Sequence, residues 1–249
     1  MLPAAVAPPT SPDRGIDRQA FDVSVCIANW NCVELLRNCL RSLFDNPQGA
    51  AFEVVVADNG STDGAAGMVA DEFPRVTLIR NGRNRGYAAA CNQAALRATG
   101  TYLFFINNDT VIPPGTLARL LEHAEANPAA GMLGPRLRQP DGAFQIAYRR
   151  LPTLSALLHK LTILRWTGLF RRPYAKYRRE SFDSHSVRPV EVLMGPAVFV
   201  SRRVFDEVGG WDERYRFGVE DIDLSAMVRR TREVVYAGDV EIIHHGRAS

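Results

Sequence analysis

Short apolar runs alternate along this chain with polar clusters, and stretches of helical spacing join them. Residues 23–28 (Val-Ser-Val-Cys-Ile-Ala) are an alternating, β-branched run that predicts a first strand, and Asn29-Trp30-Asn31 leaves its carboxyl end. Leu35, Leu36, Cys39, Leu40, Leu43 and Phe44 then recur on one face of a helix, which Asn31 caps with Glu34 three residues on. Asn46-Pro47-Gln48-Gly49 ends it. Residues 53–57 predict the second strand, and it too ends in a polar cluster, Asp58-Asn59-Gly60-Ser61-Thr62-Asp63-Gly64. A short helix to about Glu72, a strand over 76–80, the loop Asn81-Gly82-Arg83-Asn84-Arg85-Gly86 and a helix over 88–98 follow. The alanines of that last helix permit close packing on a sheet, and Gly100 closes it.

Tyr102-Leu103-Phe104-Phe105-Ile106 is an apolar, aromatic run that stops abruptly at Asn107-Asn108-Asp109. So short a run suits the centre of a parallel sheet covered on both faces. Strand and helix alternating in this order imply right-handed crossovers, with the polar loops gathered on one side of the sheet. Ligands collect outside the carboxyl ends of such strands, so Asp109 is placed to hold a metal carrying a diphosphate. Taken alone, Asn-Asn-Asp reads as a polar turn. The polar groups accumulating at the other strand ends favour a site.

In the second half, Pro113 and Pro114 open a helix over 116–126, residues 131–134 begin a strand, and Pro140-Asp141-Gly142 makes a tight turn. Between 149 and 179, leucines, Trp166 and Phe170 are interleaved with Lys160, Arg165, Arg171, Arg172, Lys176, Arg178 and Arg179. This predicts an amphipathic insertion that either covers the core or faces an anionic lipid or a phosphorylated acceptor. Residues 190–200 return to strand character with a break at Gly195-Pro196, and a helix spans about 201–208. A glycine- and aromatic-rich loop then leads to Glu220-Asp221-Ile222-Asp223, where a helix opens with the acidic first turn its dipole prefers. Residues 234–236 and 241–243 are two terminal strand pieces before His244-His245-Gly246-Arg247-Ala248-Ser249.

The whole chain, 249 residues with 46% hydrophobic and 23% charged, fits one large globular domain or a domain with an elaboration. A net charge of +3 gives no argument for a nucleic-acid partner. Cys26, Cys32, Cys39 and Cys91 form no C-x-x-C pair, and three fall on core positions, as expected of buried thiols in a reducing compartment. Residues 1–20, rich in Pro and Ala, are expected to be a disordered lead-in without the apolar segment of a signal peptide. No apolar run approaches the roughly 20 residues that span a bilayer, so membrane contact is expected to be peripheral. There is neither a G-x-G-x-x-G after the first strand nor a G-x-x-x-x-G-K-[ST] anywhere.

VSVCIANWN, VVVADNGSTDG, NGRNRGYAAACNQA, FFINNDT, MGPAVFVSRRVFDEVGGWDERYRFGVEDIDLS and HHGRAS, in that order, resemble a family 2 glycosyltransferase with the GT-A fold, within its bacterial rhamnosyltransferase-like branch. The resemblance covers residues 23–249 apart from the basic insertion. It implies an α/β fold with a Rossmann-like, mostly parallel central sheet flanked by helices and a smaller acceptor-side elaboration. Residues 21–249 would form a single domain, with a nucleotide-binding half over 21–112 and an acceptor-binding half over 113–249 that carries the insertion at 149–180.

The family implies transfer of a sugar, with inversion, from a nucleoside diphosphate sugar to a hydroxyl of a saccharide or lipid-linked saccharide, in cell-surface polysaccharide synthesis. The branch implies dTDP-rhamnose as donor, with UDP-hexoses and UDP-N-acetylhexosamines as alternatives. The place of action implied is the cytoplasm, at the inner face of the cell membrane, with an anionic membrane surface as a further partner. By the same resemblance Asn29 and Asp58 lie at the nucleobase and ribose, and the loop of Arg83, Asn84, Arg85 and Gly86 closes over the nucleotide. Asn108 and Asp109 take the D-x-D position, with Asp109 as the carboxylate for Mg2+ or Mn2+ and His244 or His245 as a further ligand. Asp221 is the implied base, Glu220 binds the acceptor, and Trp211 lines its surface. One carboxylate in place of a full D-x-D can suffice, because Mg2+ takes most of its remaining ligands from phosphates and water. A nucleotidyltransferase would carry a glycine-rich, basic loop where this chain has Ala28-Asn29-Trp30-Asn31. A non-catalytic nucleotide-sugar binding module would have lost Asp109 or Asp221.

Overall fold

The structure is a computed structural model that describes residues 21–161, 164–167, 169, 171, 172, 174, 183–215 and 218–246. The lead-in over 1–20, much of the basic insertion and the terminal residues 247–249 lie outside the described residues. In chain order the first half runs β1 (Val23–Asn29), α1 (Val33–Phe44), β2 (Phe52–Asp58), α2 (Ala65–Glu72), β3 (Thr77–Arg80), α3 (Tyr87–Arg97) and β4 (Tyr102–Asn107). The second half runs β5 (Thr110–Val111), α4 (Thr116–Ala126), β6 (Ala130–Arg138), β7 (Phe144–Gln145), β8 (Tyr148–Arg149), α5 (Leu154–Leu161) and α6 (Leu164–Thr167). It closes with β9 (Val187–Pro189), β10 (Val192–Leu193), β11 (Ala197–Ser201), α7 (Arg202–Val208), α8 (Glu220–Val228) and β12 (Glu233–His244).

β3, β2, β1 and β4 lie side by side and parallel, as the alternating pattern predicts. The register decides where the site falls. Asn29 pairs with Asp58 across β1 and β2, and Ala28 pairs with Asn107 across β1 and β4, so three polar strand ends finish level. Leu103, Phe104, Phe105 and Ile106 are fully buried, each side chain stabilising by roughly 1.5–3 kcal/mol over an exposed one. Phe104 meets Phe199 edge-on at 5.9 Å, while Phe105 meets Phe205 at 5.0 Å and Trp211 at 5.3 Å. The alanines of α3 let it settle closely on the sheet, with Ala88, Ala90, Ala94 and Cys91 all buried.

Beyond β4 the sheet becomes mixed, because β11 runs antiparallel to both β4 and β6 before β6 and β12 resume parallel pairing. Some local expectations need correction. Asn31 does not cap α1. It adopts φ 51, a conformation Asn tolerates better than most residues, and its Oδ1 accepts the Thr62 N–H at 2.8 Å. Asp63 supplies the cap instead, its Oδ2 accepting the Val33 N–H at 2.8 Å, so the loop after β2 is stitched to the start of α1. The two terminal strand pieces are one strand, β12, with a register irregularity between Ala237 and Glu241.

Cys26, Cys39 and Cys91 are buried as expected, and burial pushes the Cys39 and Cys91 thiols up to about 12. Among the described residues, no helix is long and apolar enough to cross a membrane.

Candidate active site

A cavity of about 470 Å³ opens at the carboxyl ends of β1 and β4. Asn29, Asn107 and Asn108 line it on one side, Asn59, Asn84, Gly86 and Tyr87 on another, and Met194, Gly195 and Pro196 opposite. Glu220 and Asp221 close it from the first turn of α8, and Trp30, 54% exposed, stands at its mouth. Asp58, Arg83, Asp109, Trp211, His244 and His245 are not among the lining residues.

The floor is a chain of buried amides. Asn108 Nδ2 donates to Asn29 Oδ1 at 2.7 Å, and Asn29 Nδ2 donates in turn to Asp58 Oδ1 at 3.0 Å. Asp58, 3% exposed, therefore sits behind Asn29 and orients it, while its Oδ2 accepts the Ser61 N–H at 3.0 Å. Asn59 ties the next wall together: its Nδ2 donates to the Gly86 carbonyl at 3.2 Å and its Oδ1 accepts from Asn81 Nδ2 at 3.0 Å. Sequence reasoning missed Asn59 and Asn81. The only signal available was their place in two polar clusters that follow neighbouring strands. Gly60, at φ +75, brings its loop so close that a Cβ there would lie 2.9 Å from Arg83 Cα. Arg83 itself is exposed at the rim.

Asp109 lies just below, 1% exposed, with its Oδ2 accepting the Gly246 N–H at 3.0 Å. Its Oδ1 is 3.2 Å from His244 Nε2 and has no other polar partner among the described residues. Burial pushes the Asp109 carboxyl up, but a protonated His244 ring, by hydrogen bond and charge, and then the Gly246 N–H outweigh burial and hold it below the usual carboxylate range. His244 Nδ1 faces Gln145 Oε1 at 2.9 Å; a carboxamide oxygen only accepts, so Nδ1 carries a proton, and in the neutral ring Nε2 would turn its lone pair to Asp109. A ring lone pair opposite an otherwise unpartnered carboxylate oxygen fits a cation held between them. Among the described residues no group of three or more His, Cys, Asp or Glu side chains is arranged as a metal cage. Two protein ligands fit a Mg2+ or Mn2+ site completed by phosphate and water. The His245 side chain is exposed, and only its backbone N–H reaches Asp109, at the carbonyl.

On the far wall, Gly218 and Val219 adopt φ 74 and 82 in succession. Val219 is β-branched, so this conformation is strained, and it turns the start of α8 into the cavity. Asp221 Oδ2 accepts the Gly195 N–H at 3.2 Å. Glu220 Oε2 is buried with no hydrogen-bond partner among the described residues, and burial, then the neighbouring Asp221 charge, pushes its carboxyl up. Asp223 does not line the cavity, as its turn around the helix from Asp221 requires. Trp211 differs from the expectation. It is 1% exposed, edge-on to Tyr87 at 5.9 Å and to Phe105, because Asn92 clamps its backbone on both sides; it lies under the wall and not at an open acceptor surface.

The sequence profile described as glycosyl transferase family 2 matches residues 24–186. N-acetylglucosaminyl-diphospho-decaprenol L-rhamnosyltransferase of Mycobacterium tuberculosis is 34% identical over 206 residues, which are 77% of this chain and 66% of that protein. The chain thus spans a little under two thirds of that relative's length. O-antigen biosynthesis protein RfbC of Myxococcus xanthus is 27% identical over 236 residues, 91% of this chain and 17% of RfbC. Among solved structures, the Pyrobaculum calidifontis mannosyltransferase in complex with GDP-Man and Mn2+ has a TM-score of 0.62 at 20% identity, covering 95% of this chain and 61% of that one. S. aureus TarS with UDP has a TM-score of 0.63 at 16% identity, covering 89% and 60%. These likenesses bear out the GT-A fold expected from the motifs. The chain belongs to glycosyl transferase family 2.

Proposed function

We propose that this glycosyltransferase is inverting and metal-dependent and moves rhamnose from dTDP-rhamnose to a hydroxyl of a lipid-linked saccharide in cell-surface polysaccharide synthesis. The observation that carries the reading is one cavity walled by the Asn29 and Asn108 amides on one side and by the Glu220 and Asp221 carboxylates on the other. The choice of donor and acceptor follows the mycobacterial relative, which is named for L-rhamnosyl transfer to N-acetylglucosaminyl-diphospho-decaprenol.

Asn29, oriented by Asp58, takes the nucleobase end of the donor, and the loop bearing Arg83, Asn84 and Gly86 closes over the nucleotide. Asp109 and His244 would hold Mg2+ or Mn2+, which when bound would supply Lewis-acid neutralisation of charge on the departing diphosphate. Asp221 accepts the proton of the acceptor hydroxyl as that oxygen bonds to the anomeric carbon, and the bond from that carbon to the diphosphate breaks on the opposite face. A single displacement of this kind inverts the configuration. Glu220 holds the acceptor, and Trp211 supports Tyr87 from beneath.

A panel of dTDP-rhamnose, UDP-hexoses and UDP-N-acetylhexosamines, each with and without Mn2+, tests the reading. Turnover of dTDP-rhamnose with metal and an inverted product are expected. Asp221→Asn should lower transfer by about 10²–10⁴-fold with donor affinity within a few-fold of the parent. A retained anomeric configuration, or more than about a tenth of the rate left in Asp221→Asn, would overturn it and move the base to Glu220.

A further inference from the structure

The segment over 149–179 carries nine Lys or Arg and no Asp or Glu, while the whole chain nets only +3. The rest of the chain is therefore net acidic, and its positive charge is concentrated here. The described apolar side chains of this segment do not enter the core. Leu154 is 74% exposed, Trp166 79%, Leu169 51% and Leu158 37%. Leu154 and Leu158 are four apart on α5 and so share one face. A helix that merely covered the core would have buried them.

Described residues of the segment nonetheless contact one another. His159, 8% exposed, donates from Nδ1 to the Leu169 carbonyl at 2.7 Å, and its ring lies 5.0 Å from that of Tyr174. The same turn carries Arg171 and Arg172, both exposed. Its root is at the active site: Arg149 pairs with Val192 and Tyr148 with Leu193, directly before the cavity residues Met194, Gly195 and Pro196. Leu151 N–H, donating to Glu191 Oε2 at 2.6 Å, fastens the same root.

Exposed Leu and Trp beside the exposed Arg171 and Arg172 match the composition of a surface that lies in the headgroup layer of an anionic bilayer. We propose that residues 149–179 are an interfacial anchor, with Leu154, Leu158, Trp166 and Leu169 inserted among the headgroups and Arg171 and Arg172 on lipid phosphates. The anchor holds the Met194 to Pro196 wall of the cavity toward the membrane, where a lipid-linked acceptor resides. Only that last use rests on the function proposed above; the membrane contact stands on the exposed side chains and the charge.

The experiment is sedimentation of the whole chain with phosphatidylglycerol-containing and with phosphatidylcholine vesicles. Salt is varied from about 0.1 M to about 1 M, over which the screening length falls from about 10 Å to about 3 Å. Binding to the anionic vesicles alone is expected, lost at high salt and weakened by more than about ten-fold in Arg171→Glu/Arg172→Glu. Tryptophan emission should shift to the blue on binding, and Trp166→Phe should abolish that shift. Equal binding to both vesicles at low salt, unchanged binding by the Arg variant, or a blue shift that survives Trp166→Phe would overturn the anchor. Binding that appears only when a polyprenyl diphosphate saccharide is added would overturn it in favour of an acceptor subsite. Donor turnover with a soluble acceptor is measured in parallel, so that failure of the anchor and failure of the proposed reaction are told apart.

Discussion

Gly195 holds the carboxylate of Asp221, its backbone N–H donating to Oδ2 at 3.2 Å, and the carbonyl of the same glycine accepts from the Tyr87 hydroxyl at 3.3 Å. One peptide unit thus joins the first residue of α3 to the first turn of α8, on opposite walls of the cavity. Removing the hydroxyl in Tyr87→Phe deletes one hydrogen bond, worth about 0.5–1.5 kcal/mol. The expected result is kcat lowered about five-fold with the donor Kd changed by less than about two-fold, since the group acts on the proposed base and not on the donor. Steady-state kinetics with donor calorimetry checks this. A proportional loss of donor affinity would mean that Tyr87 holds the nucleotide.

Glu220 supplies a pH test. Burial and the Asp221 charge push its carboxyl up, so in the folded chain it keeps its proton to a higher pH than in the unfolded chain. The folded state binds more protons in that window, and stability falls as pH rises from the unfolded value, about 4.3, through the folded one. Glu220→Gln removes the penalty. The variant should therefore melt above the parent at neutral pH, with the gap closing below about pH 4. Thermal melts across that range decide it, and a gap independent of pH would sink the argument.

Much of the first half was legible because its buried strands are short apolar runs that stop at polar clusters, and those clusters supply residues that line the cavity. What failed was non-local. Asn31 looked like a cap because Glu34 stands three residues on, but Asp63, from the next loop, took the role, and no local pattern announces that. Trp211, in a glycine-rich loop, looked exposed; its slot is built by Tyr87, Asn92 and Phe105, all more than a hundred residues earlier. The polar Asn92 and Gln93 interrupt an otherwise alanine-rich helix with no local reason. Asn92 clamps Trp211, and Gln93 exchanges hydrogen bonds with Asn81. Which of His244 and His245 turns toward Asp109 depends on where β12 ends, with its last residue His244 buried and the next residue exposed.

Two glycines separate strain from contact. Gly60 and Gly64 have φ +75 and +88, but a Cβ on Gly60 would meet the Arg83 backbone at 2.9 Å, while on Gly64 it would meet nothing within 4 Å. Alanine in a left-handed conformation costs about 1–2 kcal/mol at either place. Only Gly60→Ala should also displace the Arg83 loop, and so weaken donor binding about ten-fold beyond Gly64→Ala. Denaturant unfolding reads the first effect and calorimetry the second. Equal donor affinities in the two variants would remove the loop from the donor site.

The metal pair can be tested ligand by ligand. Asp109 and His244 are 1% and 5% exposed, and the His244 ring is fixed by Gln145 at Nδ1 so that Nε2 faces Asp109 Oδ1. Asp109→Asn and His244→Ala should each abolish the gain in nucleoside diphosphate affinity that Mn2+ provides, with metal-free binding little changed. Gln145→Ala leaves both proposed ligands in place but frees the ring, and the loss of such an outer partner weakens a metal site by about 10–100-fold. His245→Ala should leave the Mn2+ effect within about two-fold of the parent, because its side chain points to solvent and its backbone N–H survives the substitution. Calorimetric titration of nucleoside diphosphate with and without Mn2+, over the four variants, reads all of this. If His245→Ala removed the metal effect and His244→Ala kept it, the chain at the end of β12 would have to present its other face to Asp109, and Asp109 with His244 would not be the ligand pair.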